Sequence, residues 1–244
     1  MSPQIAFLGA GNMASAMING LLAEGFSPAG LKASDPSEKA LSQLRDLGLT
    51  EVSTSPEGIF EGADLVVAAV KPQIIPDALA AISDQLCPDT ALLSIAAGLP
   101  TASLQAYAGS DVPIIRCMPN TPAMIGLGAS ALYASATVNA SHRALAEQVT
   151  SAAGTTVWVE DEALLDVVTA VSGSGPAYFF ALIEAIAETG TELGLDAEVA
   201  MALTLQTAMG AAALALKSDE GVAKLRENVT SPGGTTEEAL RSLQ

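Results

Sequence analysis

The chain has 244 residues, half of them hydrophobic but only 4% aromatic, so Ala, Leu and Val must fill a sizeable core through close helix packing. Its formal net charge of -17 excludes the clustered Lys and Arg of a nucleic-acid or anionic-membrane surface and favours a small-molecule partner. Cys87 and Cys117 lack the spacing of a metal knuckle or redox pair; they read as buried small hydrophobes in a reducing cytoplasm, and no metal site is expected.

Ile5 to Leu8 is a short apolar run that ends in Gly9-Ala10-Gly11-Asn12-Met13-Ala14, after which apolar residues recur at helical spacing through Leu22. This is strand, glycine turn, helix, with no basic start of a secretory leader before it. The spacing predicts strands at Leu31 to Ser34, Leu65 to Val70, Ala91 to Ile95 and Ile114 to Met118. Helices are expected at Ser37 to Leu47, Gln73 to Ser83 and Thr101 to Ala108. Such alternation gives a doubly wound parallel sheet. A strand near Ser130 to Tyr133, a helix over Ser141 to Ala152 and a last strand at Thr155 to Val159 complete an N-terminal domain, residues 1–159.

Beyond Glu160 the pattern is helical: Ala163 to Val171, Pro176 to Leu193, Ala197 to Leu216 and Asp219 to Glu227. Val199 to Leu216 is apolar nearly all round, which a small helical domain, residues 160–244, can cover only with a partner subunit. Glu184, Glu188, Glu192, Asp196 and Glu198 interrupt or bound the apolar stretches, so no clean membrane span is expected and the protein reads as soluble and cytoplasmic.

The Gly9 turn matches the dinucleotide pattern, the first glycine making the turn and the second admitting a pyrophosphate. Asp35, at the end of the second strand, stands where a carboxylate holds a ribose hydroxyl and disfavours a 2′-phosphate, whereas Ser34, Ser37 and Lys39 pull the other way. Ala69-Val70-Lys71-Pro72, Ala96-Ala97-Gly98 and Met118-Pro119-Asn120-Thr121-Pro122 end three further strands at the same edge and outline a cofactor cleft. Arg116 is either a cofactor contact or a structural charge paired with a carboxylate. The single histidine, His142, opens an amphipathic helix beside Arg143 and reads as a solvated surface residue, so no His-based triad can be built.

Two loops rich in glycine, proline and hydroxyls remain, Ser172-Gly173-Ser174-Gly175-Pro176 and Asn228 to Thr236, the latter of no value as core or regular helix. From Ala144 to Leu216 there is no Lys or Arg, so an anion held in this region must rest on backbone N–H groups, hydroxyls and helix N-termini.

Taken together, Gly9-Ala10-Gly11-Asn12-Met13, Val70-Lys71-Pro72-Gln73, Arg116 to Pro122, Ser172 to Tyr178 and Thr230 to Thr236 resemble the pyrroline-5-carboxylate reductase family over essentially the whole chain. The resemblance implies a Rossmann domain followed by an all-helical dimerisation domain, an interlocked homodimer and often a ring of dimers. It also implies NADPH or NADH as cofactor, and further helix beyond Gln244. Carried over by position, Gly9, Ala10, Gly11, Asn12, Met13, Ser34, Asp35, Ser55, Ala69, Val70, Lys71, Pro72, Ala97 and Asn228 are implied cofactor contacts. Glu162 is implied on the substrate side; Ser231, Gly234, Thr235 and Thr236 form the implied carboxylate cradle.

Thr169 is expected to hydrogen-bond the ring nitrogen of an imine acid as orienting group or relay, because a threonine hydroxyl is too weak an acid to be the sole proton source. A β-hydroxyacid dehydrogenase would need a base, and members of that group resemble one another in placing a lysine on the long helix after a Gly-Ser-Gly segment. The helix Pro176 to Leu193 has none. A nicotinamide-sensing regulatory protein without turnover is the third reading.

Overall fold

The computed structural model describes residues 3–243, and the chain divides into two compact units, Met1–Pro176 and Ala177–Gln244. The first unit carries eight strands: β1 Ile5–Leu8, β2 Leu31–Ser34, β3 Glu51–Ser53, β4 Leu65–Ala68, β5 Ala91–Ser94, β6 Ile114–Met118, β7 Gly128–Ala134 and β8 Gly154–Trp158. They lie in the order β3-β2-β1-β4-β5-β6-β7-β8, and the first six are parallel throughout. The strand sequence 3-2-1-4-5-6 is that of the doubly wound dinucleotide fold, with its switch point between β1 and β4.

β1, β4 and β5 are buried at every residue because helices cover both faces, which is why they read as unbroken apolar runs. Strand pleating sends Ile5 and Phe7 to one face, against Met17 of α1 (Asn12–Ala23), Leu41 of α2 (Glu38–Asp46) and Val149 of α5 (Ala140–Ser151). Ala6 and Leu8 face the other way, toward Ile75 of α3 (Ile75–Ala80) and Leu104 of α4 (Thr101–Ala108).

Several features depart from the sequence reading. β3 is an additional edge strand, Glu-Val-Ser, without a fully buried residue and therefore without an apolar signal. β7 runs antiparallel to β6, and β8 then runs parallel to β7. Gly128 and Gly154 face each other where β7 and β8 begin; Gly154 has φ +146°, and a Cβ on it would lie 2.1 Å from the Gly128 carbonyl oxygen. Finally, His142 is buried rather than solvated: Asn139 and His142 form a reciprocal cap on α5, and the His142 Nε2 lies 3.2 Å from the Asp89 carbonyl oxygen.

α6, Leu164–Val168, runs directly into a π turn over Thr169–Gly173, where a plain helix through Val171 was expected. α7 spans Gly175–Glu192. The second unit continues with α8 Ala197–Lys217, α9 Val222–Asn228 and α10 Thr235–Leu243. Asp196 caps α8 by accepting the Glu198 and Val199 N–H groups at 2.9 and 3.3 Å. α10 corrects the reading of Asn228 to Thr236 as wholly irregular, since Asn228 closes one helix and Thr235 and Thr236 open the next.

α8 buries only Ala200 and Thr204 within the chain; Phe179 (66% exposed), Leu203 (57%) and Met209 (60%) leave a broad apolar surface. Contrary to expectation, Leu164–Glu192 and Ala197–Lys217 are long and apolar enough to cross a membrane by length and composition. A helix face built to pack against another protein surface has the same composition.

Candidate active site

At the switch point the Gly9 N–H donates to the Ser34 carbonyl at 2.7 Å and the Ala69 N–H to the Leu8 carbonyl at 2.8 Å, so the β1 and β4 loops leave the sheet side by side. Gly9 has φ +101°, and a Cβ there would stand 2.7 Å from the Ala69 carbonyl oxygen and 2.8 Å from Val70 Cγ1. Only glycine fits. Gly11 is different: it caps α1 in an extended conformation, and a Cβ on it would meet nothing within 4 Å. The open space lies over the first turn of a twelve-residue helix with no side-chain cap and no acidic residue in that turn. Its first N–H groups lack intrahelical acceptors, which suits an anionic pyrophosphate.

Asp35 does not simply face outward. Its Oδ2 accepts the Ala10 N–H at 2.8 Å and its Oδ1 accepts the Ser37 N–H at 2.8 Å, so the carboxylate ties the glycine turn to the end of β2. Ser34, expected as a contact, is buried within β2, whereas Ser37 is exposed and caps α2 through its Oγ. Ser55, Lys71 and Ala97 are exposed, and Ala69, Val70 and Pro72 half-buried, in the loops that follow β3, β4 and β5; Asn12 and Met13 open α1. The same edge therefore carries Gly9 to Met13, Asp35, Ser55, the Ala69 to Pro72 loop and Ala97.

Glu162 is committed to protein partners. Its carboxylate accepts the Thr101 N–H at 2.6 Å, the Thr101 hydroxyl at 2.9 Å and the Arg116 guanidinium at 2.8 Å. This resolves Arg116 as a structural charge, buried in β6 and paired across 46 positions of sequence. Burial opposes ionisation of Glu162, but the Thr101 N–H, the Arg116 guanidinium and the Thr101 hydroxyl outweigh it and hold the carboxyl below its ordinary value.

Thr169 opens the π turn, and its hydroxyl donates to the Leu165 carbonyl at 2.8 Å, leaving the oxygen lone pairs to face other groups. The turn is closed by the Ser174 N–H donating to the Thr169 carbonyl at 2.7 Å, and it is tied down by Asn120, whose Nδ2 donates to the Ser172 carbonyl at 3.0 Å. π turns concentrate at functional sites. The sequence places Asn120 only in a loop that outlines the cofactor cleft, with no role of its own; the Met-Pro-Asn-Thr-Pro punctuation was the available signal.

In the second unit, the Thr230 to Thr236 segment forms a tight turn: the Gly234 N–H donates to the Ser231 carbonyl at 2.9 Å, and the Gly233 N–H to Glu237 Oε2 at 2.7 Å. One expected donor, the Gly234 N–H, is thus engaged internally. The N–H groups of Thr235 and Thr236, in the first turn of α10, have no acceptor within that helix by its geometry. Asn228 donates from Nδ2 to Glu220 at 2.8 Å. Among the described residues no group of three or more His, Cys, Asp or Glu is disposed to hold a metal.

Residues 162–244 match the family model for pyrroline-5-carboxylate reductase dimerisation, and residues 4–98 match that for NADP oxidoreductase, coenzyme F420-dependent. The pyrroline-5-carboxylate reductase of Pseudomonas aeruginosa is 49% identical over 244 residues, covering 100% of this chain and 89% of the relative. The chain belongs to the pyrroline-5-carboxylate reductase family. A family member from Coxiella burnetii superposes with a TM-score of 0.93 at 37% identity, covering 100% of this chain and 90% of that one. The Plasmodium falciparum reductase, solved with NADP bound, gives a TM-score of 0.86 at 32% identity over 99% and 89% of the two chains. A β-hydroxyacid dehydrogenase is not favoured: the family match spans the whole chain, and α7 carries no lysine.

Proposed function

We propose that this chain reduces 1-pyrroline-5-carboxylate to L-proline, the last step of proline biosynthesis, using NADPH or NADH. The observation that carries the reading is the full-length relationship to pyrroline-5-carboxylate reductases, joined to a glycine turn whose second glycine leaves open space over a bare helix N-terminus. Residues 1–159 bind cofactor and residues 160–244 supply dimerisation and substrate contacts.

The cofactor, when bound, supplies the hydride. The chain's part is alignment and electrostatics, for which positioning alone can be worth roughly 7–11 kcal/mol. Gly9, Ala10, Gly11, Asn12 and Met13 receive the pyrophosphate; Asp35 positions that turn, and Ser55, the Ala69 to Pro72 loop, Ala97 and Asn228 complete the cofactor contacts. Thr235 and Thr236 receive the substrate carboxylate through N–H groups in the first turn of α10, with Ser231 and Gly234 shaping the turn before them.

Because the Thr169 hydroxyl already donates to Leu165, it offers the substrate an acceptor. An acceptor favours the protonated imine, whose N–H it holds. Hydride addition to the carbon of that cation gives the neutral secondary amine, so charge balances without a proton from the protein. Glu162 acts on the substrate side through the Thr101–Arg116 network.

The apolar surface of α7 and α8 and the match to a dimerisation domain support a homodimer, which we extend to a ring of dimers, soluble in the cytoplasm and without nucleic-acid or membrane partners. Purified protein should oxidise NADPH only when the imine acid is added, with L-proline formed in equal amount. Absence of proline under these conditions would sink the assignment.

A further inference from the structure

Asn120 lies between three elements of the first unit. Its Oδ1 accepts the Ala129 N–H of β7 at 2.8 Å, while its Nδ2 donates to the Ser172 carbonyl of the π turn at 3.0 Å. Its own carbonyl accepts the Ala123 N–H at 3.1 Å, anchoring the loop after β6. The i+4 donor to the Ser172 carbonyl would come from residue 176, which is Pro176 and has no N–H, so Ser172 takes a donor from elsewhere. Asn120 provides it.

We propose that Asn120 is a positioning residue for the reaction: by bridging β7 to the Ser172 carbonyl it holds the π turn that aims Thr169. The proposal rests on the reading of Thr169 as the group that meets the substrate nitrogen. Thr169 begins the turn, its carbonyl accepts the closing Ser174 N–H, and its hydroxyl is fixed on Leu165. Any change in the turn's width therefore changes where the Thr169 lone pairs point.

The residue type follows from the chemistry. One short planar group must both accept from Ala129 and donate to Ser172. Asp accepts at both positions and sets a negative oxygen against the Ser172 carbonyl; Ser reaches only one partner; Gln carries the amide one methylene too far. Met118 packs closely over the turn, since a Cβ on Gly173 would strike its Cε, and the Asn120 bridge adds a polar tie to that packing.

The test is a double-mutant cycle of Asn120→Asp and Thr169→Val in the full chain, reading kcat, the imine KM and NADPH affinity by fluorescence titration. Asn120→Asp is expected to lower kcat roughly 100-fold, the scale of a 1 Å misplacement, with NADPH affinity unchanged. In the Thr169→Val background it should add little, because both changes remove the same interaction. Additive losses, an unchanged kcat, or a matching fall in cofactor affinity would overturn the proposal.

Asn120→Ser is the second variant, expected to behave alike; loss of the fold in both would make Asn120 a fold-keeping residue and overturn the proposal as well. Hydrogen exchange at the Ser174 amide gives a readout independent of turnover, and protection unchanged in Asn120→Asp would also overturn it. A wild-type protein without turnover would instead count against the proposed reaction.

Discussion

The Asp35 carboxylate accepts the Ala10 N–H at 2.8 Å, so the residue expected to choose between cofactors also holds the turn proposed to receive either one. Asp35→Ser removes acceptors from two backbone amides and a negative charge from the adenosine end. Loss of hydrogen bonds to a charged acceptor should cost roughly 1–2 kcal/mol of stability after discounting for partial exposure. The KM values of both cofactors should rise, and the kcat/KM ratio should move toward NADPH. Denaturant unfolding and paired kinetics check this; a shifted ratio with no loss of stability would show that the amide bonds carry no weight.

The two glycines of the turn should respond in opposite ways. Gly9→Ala places a Cβ against backbone at φ +101° and should destabilise the protein by about 1–3 kcal/mol as well as weaken cofactor binding. Gly11→Ala meets nothing, so its melting temperature should stay within about 1 °C of wild type, corresponding to well under 0.5 kcal/mol, while cofactor affinity falls. Calorimetry and cofactor titration on the pair separate a fold requirement from a binding requirement.

Glu162 predicts an acid limb of stability. Its folded pKa lies below the ordinary 4.5, so its ion pair contributes fully above that value and the contribution is lost as pH falls through the lowered folded pKa. Glu162→Gln should be less stable than wild type at neutral pH, and the gap should close on acidification below about pH 4 as the wild-type pair protonates. Urea midpoints across that range measure it; a gap independent of pH would refute the linkage.

Cys117 is buried, and desolvation, only partly offset by Ser130, pushes its thiol up to about 12, whereas Cys87 is exposed. Maleimide should therefore add once to native protein and twice in denaturant, as read by intact mass. Double labelling of native protein would mean that β6 opens readily.

Leu203→Glu puts a charge into the apolar α7–α8 surface. Light scattering should then show monomer or aggregate in place of a dimer, with activity lost. A fully active dimer would place the interface elsewhere.

Where the sequence was legible, one physical signal sufficed. The β1 run and the Gly9 turn were readable to the residue because a doubly covered strand tolerates no polar position and a left-handed backbone needs glycine. β3 carried no such signal, and nothing in residues 128–134 fixes the direction in which β7 pairs. α10 was hidden behind glycine and hydroxyls that read as loop, although Glu237 and Glu238 in its first turn suit a helix start. The roles of Glu162 and Asn120 depend on partners 61 and 52 positions away, and pairing at that range follows from the fold, not from local pattern.

The facing pair Gly128 and Gly154 also constrains how this chain can change over time. A methyl group on Gly154 strikes the Gly128 backbone, and one on Gly128 strikes Ala123 and the Ala153 carbonyl oxygen at 2.8 Å, so neither can be traded for alanine first with the second following later. Random mutagenesis under selection for proline prototrophy should leave both positions invariant while neighbouring Thr155 drifts, and a lineage can lose the pair only by rebuilding the β7–β8 edge in one step.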